Sequence, residues 1–168
     1  MAMNEPMEAF VMLLSHVRHT TEQSNKIYEE LSNRAEDPAI KEALEARAFV
    51  QKSSLEKIDQ AFNLIGQKPV ELTGRLQEAF LEDFRGDVEK IQRQGVRRLF
   101  ILSKVVKIVH LRIAEWVALV AAADSTGNYG VGVLLETCLA EDLAFAERTR
   151  RLIRKYAEGK ISARSATS

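Results

Sequence analysis

Apolar side chains recur along this chain at steps of three and four residues. Nowhere do β-branched residues alternate with polar ones between hairpin turns, so the pattern is helical throughout. Met7, Phe10, Val11, Leu14, Val17, Tyr28 and Leu31 form one stripe after a start marked by Asn4 and Pro6, which predicts a first helix from about residue 5 to about residue 34. Asp37 is a good N-cap and Pro38 suits the first helical position. Ile40, Leu44, Ala48, Leu55, Ile58, Phe62 and Ile65 then carry a second stripe until Gly66 and Pro69 end it. The second helix must therefore turn sharply back on the first.

Leu72, Leu76, Phe80, Phe84, Val88 and Ile91 make a thinner stripe, broken by Gly74 and Gly86 and closed by Gly95. It reads as a crossover helix lying on the surface. From Val96 to Ala123 apolar residues fall on most faces, the mark of the most enclosed helix in a bundle. Asp124 to Asn128 stops it, and a last helix from about Tyr129 to Tyr156 presents Leu135, Cys138, Leu139, Phe145, Leu152 and Ile153. Residues 159–168 are small and polar and are expected to be a disordered tail, leaving one domain over residues 1–158. Two helical hairpins joined by a long connection give an all-α chain with the one-crossover topology of a ferritin-like four-helix bundle, the crossover carrying an additional helix.

With 168 residues and 46% apolar content the chain can bury one sizeable core and not two. Its 24 basic and 24 acidic side chains cancel, so no net field draws it to nucleic acid or to an anionic membrane. Cys138 is the only cysteine, which excludes an internal disulfide and a cysteine-based zinc finger and fits the reducing cytoplasm. Met1 to Pro6 lacks the basic residues and apolar run of a secretion signal. Lys104, Lys107, Arg112 and Glu115 interrupt the longest apolar region, which cannot supply the roughly 20 apolar residues of a membrane span.

Chemistry is sparse. His110 stands at the middle of the most hydrophobic helix, where bundles build metal sites, yet a buried histidine is equally satisfied by one or two hydrogen bonds to a carboxylate across a helix interface. A di-iron centre takes a Glu from each of two helices and a Glu-x-x-His pair from each of the other two. No Glu-x-x-His occurs here: Leu13, His16 and Lys107 precede His16, His19 and His110 by three. His16 and His19 share one helical face without a converging acid and read as an exposed pair. Thr21, Ser24, Asn25 and Gln51 interrupt the stripes of the first two helices near their midpoints, which predicts a polar layer at mid-height. Ser15 and Ser103 lack a nucleophile-elbow context, and Cys138 lies in an apolar stripe, so hydrolase chemistry is not indicated.

From about Phe10 to about Arg151 the chain resembles the YciE/YciF family of bacterial ferritin-like proteins. The likeness is carried by Leu13-Leu14-Ser15, by Leu55 to Gln60, by Lys107-Ile108-Val109-His110, and by Leu134-Leu135-Glu136 with Leu139 to Asp142. The resemblance implies a stress-associated protein, a bundle fold and a homodimer. It also implies inward carboxylates and histidines, and there this chain departs from the family. Thr21 replaces a glutamate of the first helix; Phe49 and Val50 correspond to paired glutamates of the second, and Arg47 to a histidine. Val109 and Arg112 take the places of acids flanking His110, and Thr137 that of a glutamate in the last helix, while Glu141 and Asp142 stay acidic.

Two functional expectations follow. In the first, the metal cavity has been filled in by Phe49, Val50 and Thr, and the protein is a non-catalytic bundle without a cofactor. In the second, His110, Glu141 and Asp142 form a residual site for iron or manganese with redox or peroxide-related activity. A third, weaker idea is that Phe49 and Val50 line an apolar pocket for a small ligand of unknown identity.

Overall fold

The computed structural model describes residues 5–165, with side chains through residue 159. Five helices follow one another: α1 (Pro6–Arg34), α2 (Pro38–Leu64), α3 (Leu76–Val88), α4 (Gln94–Ser125) and α5 (Tyr129–Ser165). No strand occurs among the described residues, and no helix there is long and apolar enough to cross a membrane. The boundaries have local causes. Pro6 opens α1, and the Asp37 side chain accepts from the N–H groups of Ala39 and Ile40 at 3.0 and 3.3 Å to cap α2 behind Pro38. Gly66 (φ 65°) and Gly127 (φ 75°) supply the left-handed residue that closes α2 and α4, where a Cβ would be strained.

α1 packs against α2 and α4, and α5 against α4 and α2, closing a square of four long helices, while α3 lies across α1 and α4. Contacts of Arg18 with Asp59, Arg97 with Glu36, Arg148 with Glu42 and Trp116 with Asp142 show that each packed pair is antiparallel. α2 and α4 consequently run parallel, and the connection between them must return along the bundle. This is the ferritin-like topology the hydrophobic pattern predicts.

Two boundaries differ from the sequence reading. α3 is shorter than the stripe from Leu72 to Ile91, and it is not confined to the surface: Phe84 and Val88 are fully buried and Phe84 stacks on Phe100 at 6.0 Å. Two apolar anchors one turn apart are enough to sew the crossover into the core. α5 runs on to Ser165, past the stop expected near Tyr156 and into the tail expected to be disordered. Gly159 costs a helix only about 1 kcal/mol, and no proline follows to break it. Residues 166–168 of that expected tail lie outside the described residues.

Two apolar clusters fill the bundle. One gathers Ile27, Leu31, Leu44, Phe84, Ile101 and Val105 at the end closed by the α1–α2 turn; the other gathers Phe10, Leu14, Ile58, Trp116, Leu119 and Leu135 at the α4–α5 turn. What separates them is the part of the molecule with chemistry in it.

Candidate functional site

The inward row of every long helix turns polar at mid-height. On α1, Phe10, Leu14 and Val17 give way to Thr21 and Ser24; on α2, Ile40 and Leu44 give way to Arg47, Gln51 and Ser54. Arg112 follows Val105 and Val109 on α4, and Asp142 follows Leu135 and Cys138 on α5. These residues are buried as deeply as the apolar ones around them: Arg47 and Arg112 are 2% exposed and Asp142 is 0% exposed.

A chain of contacts ties the four helices together through this layer. Arg112 donates to the Thr20 and Thr21 hydroxyls and to the Val17 carbonyl of α1, pairs with Glu115 one turn along α4, and stacks over the Trp116 ring at 5.0 Å. The Trp116 indole N–H donates to one oxygen of Asp142 at 2.7 Å, and Arg47 of α2 donates to the other. Arg47 also lies over the rings of Phe145 and Tyr28, at 5.3 and 5.8 Å, which themselves meet edge to face at 5.9 Å. A buried carboxylate with a guanidinium on one side and an indole on the other is a satisfied charge.

Burial pushes the Asp142 carboxyl above its usual range, against the pull of Arg47 and Arg112. Glu115 is raised for the same reason, with Arg112 and Thr20 opposing, and burial carries the Tyr28 phenol up to about 12. Gln51 is fully buried, and neither of its amide atoms has a hydrogen-bond partner among the described residues.

The three expected ligands are not brought together. His110 is exposed, its Nδ1 meets the Val106 carbonyl of the preceding turn at 3.0 Å, and no carboxylate pairs with it among the described residues. In the antiparallel register that sets Trp116 against Asp142, His110 falls beside Leu143 and Glu147 instead. Glu141 is half-buried and pairs with Lys57 at 2.7 Å, while Asp142 is taken by Arg47 and Trp116. Among the described residues no three His, Cys, Asp or Glu side chains converge as a metal would require. Phe49, expected to fill the old cavity, is 76% exposed, and Val50 lines a shallow groove between α2 and α5. Facing inward in their place are Arg47, Gln51 and Ser54. The error is one of phase: residues 49 and 50 lie outside the row 40, 44, 47, 51, 54, 58, which is the spacing that faces a core.

The polar layer expected from Thr21, Ser24 and Gln51 is present, with Asn25 at its half-buried margin. Asp142 was expected as a metal ligand, and Arg47 and Arg112 were named only as replacements in the family's inward set; their pairing within the layer was not foreseen. Arg47, Arg112 and Asp142 each occupy an inward position at the three-and-four spacing, and that placement was the available signal. His19 is half-buried under the crossover segment, its Nε2 without a partner among the described residues, while His16 is exposed.

A square of antiparallel helices with one long crossover and a polar layer at mid-height defines a ferritin-like bundle. Residues 5–164 match the family described as Domain of unknown function (DUF892), and the chain belongs to that family. Among solved structures it is similar to the stress protein YciF of E. coli, at 20% identity over 93% of this chain and 99% of that one, with a TM-score of 0.87. It is also similar to YcfI, a candidate structural protein of Rhodopseudomonas palustris, at 19% identity over 88% and 94% of the two chains, TM-score 0.82. A protein of Xanthomonas campestris pv. campestris follows at 17% identity over 93% and 99%, TM-score 0.71. No curated protein matches this chain. Identities this low speak for the fold alone, not for an activity.

Proposed function

We propose that this chain is a non-catalytic ferritin-like bundle that works without a metal, in a structural and stress-associated role. The observation that carries this reading is the pair of guanidiniums, Arg47 and Arg112, buried in the layer between the two apolar clusters. A di-iron centre needs four or more inward carboxylates and two histidines, a cluster that repels itself unless cations neutralise it. Here the cations are built into the chain. Asp142 has both oxygens engaged, Glu115 is held by Arg112 and Thr20, the other groups bonded there are Thr hydroxyls and the Trp116 indole, and two fixed positive charges oppose the approach of a third. That donor set does not fit iron or manganese.

The stress association rests on the likeness to a protein named for it, and the structural role on the layer, which ties all four long helices. A reducing compartment such as the cytoplasm suits Cys138, buried with its thiol pushed up by desolvation. As the resemblance implies, the working unit is a homodimer; support comes from Val117 of α4 and Val133 and Leu143 of α5, large apolar side chains left exposed on the outside of the second hairpin.

Elemental analysis of protein purified without chelators tests the reading. Iron and manganese should each fall well below one per chain, and His110→Ala should change neither metal content nor thermal stability in added metal. One or more equivalents of either metal surviving dialysis would sink it.

A further inference from the structure

Where the crossover helix meets α4 it leaves a groove that nothing in the polar layer explains. Leu76, Ala79 and Phe80 of α3 face Ile108 and Leu111 of α4 across about 390 Å³, within the range of small-molecule sites. Its surface is mainly apolar, and Leu76 and Leu111 are both exposed. Polar groups are few and placed together. The ammonium of Lys104 sits 5.0 Å from the Phe100 ring centroid and 5.7 Å from that of Phe80, and the ammonium of Lys107 lies 6.0 Å from Phe80.

Lys104 is half-buried and Lys107 exposed, and neither has a close acidic partner among the described residues. Lys104 has only a loose contact with Asp87, at 3.9 Å, and Lys107 has no acidic partner among the described residues. Gln77 adds an independent sign. It lines the same groove, is 6% exposed, and its side-chain amide makes no hydrogen bond among the described residues. Its amide atoms are not sealed from solvent, so a polar group bound in the groove can take the place of water on them. Asp83 at the rim carries the one opposing charge in the lining, against two lysines.

We propose that the α3–α4 groove is a binding site for a small amphipathic anion, a single carboxylate on a compact apolar body. The carboxylate would pair with Lys104 and Lys107 and accept from the Gln77 amide, and the apolar body would cover Leu76, Ala79 and Leu111. The class follows from the lining: an apolar floor takes hydrocarbon, adjacent ammoniums held on aromatic rings take an anion, and an amide donor takes a carboxylate oxygen. This site shares no residue with the layer and stands whether or not a metal binds there.

Amide chemical-shift titration of the full chain with decanoate, below its micelle concentration and with decan-1-ol as the neutral control, tests the proposal. Decanoate should shift the amides of residues 76–83 and 104–111 saturably, with decan-1-ol at least tenfold weaker. Lys104→Gln with Lys107→Gln should weaken decanoate at least tenfold while the alcohol is unaffected, and Ala79→Phe, which fills the groove, should abolish both. Absence of saturable shifts, shifts centred elsewhere on the bundle, or equal binding of alcohol and carboxylate overturns it. The comparison of the two probes on the unaltered chain decides the matter even if a variant fails to fold.

Discussion

Replacing Arg47 by Met removes the guanidinium bonded to Asp142 and leaves a carboxylate that is 0% exposed with the Trp116 indole as its remaining partner among the described residues. Breaking a buried pair from one side costs about 3–5 kcal/mol, a large part of the 5–15 kcal/mol that holds a domain folded. Asp142→Leu should cost a similar amount, because Arg47, 2% exposed, then has no anion. The double variant should behave differently. Exchanging a buried pair for packed apolar groups is neutral or stabilising by about 1–4 kcal/mol, against which the orphaned Trp116 N–H costs about 1–3 kcal/mol. The double variant should therefore lie within about 3 kcal/mol of the parent, far from the sum of the single losses. Urea denaturation followed by circular dichroism, with the m-value held constant as a check on two-state behaviour, measures all four corners of the cycle. pH adds a second reading. The Asp142 carboxyl in the folded chain stands above its unfolded value of 3.8, so the folded state takes up the proton first, and lowering the pH toward 3.8 relieves the penalty. The loss in Arg47→Met should shrink over that range, since a proton replaces the missing cation. Additive losses in the double variant, or a loss below about 1 kcal/mol for Arg47→Met, would refute the account of a buried and mutually dependent pair.

Trp116→Phe keeps the ring packing but withdraws the indole donor from Asp142, and should lower stability by about 1–3 kcal/mol in the same assay. Gln51→Leu replaces a fully buried amide that has no partner with an apolar group of like size, and should leave stability unchanged or raise it by up to about 2 kcal/mol, read as a rise in Tm. Asp37→Ala removes the α2 cap and the 3.3 Å contact with Arg98, a loss of about 1–2 kcal/mol by urea denaturation at neutral pH. Burial opposes the Asp37 charge, but Tyr156, the helix N–H groups and Arg98 still hold its pKa below 3.8. The contribution of Asp37 is thus complete above 3.8 and disappears as pH falls through the lowered value, where parent and variant should converge.

The fold was legible because its signals are local. Asp37-Pro38 and Gly66 bracket α2, Gly127 closes α4, and the three-and-four stripe needs no knowledge of partners. Thr21, Ser24 and Gln51 likewise betrayed the layer as polar residues inside an apolar row. How the charged half pairs stayed hidden for a physical reason. An isolated arginine is read as solvent-facing because burying it alone is prohibitive, and only its partner on another helix makes the burial possible. Arg47 finds Asp142 and Arg112 finds Thr20 and Thr21 across gaps in sequence that a single-helix pattern does not span. His110 misled in the opposite sense. It sits among apolar neighbours in sequence, yet the row 105, 109, 112, 116 turns its side chain outward.

The layer also makes the alignment of the helices discrete. In a bundle held only by aliphatic contacts, one helix can slide past another by a turn, about 5.4 Å, and find comparable packing. Here such a slide would carry Asp142 away from both Arg47 and Trp116, or Arg112 away from Thr20 and Thr21, and leave a naked charge between greasy walls. One polar rung therefore acts as a detent: the four rods either click into a single setting or do not close at all.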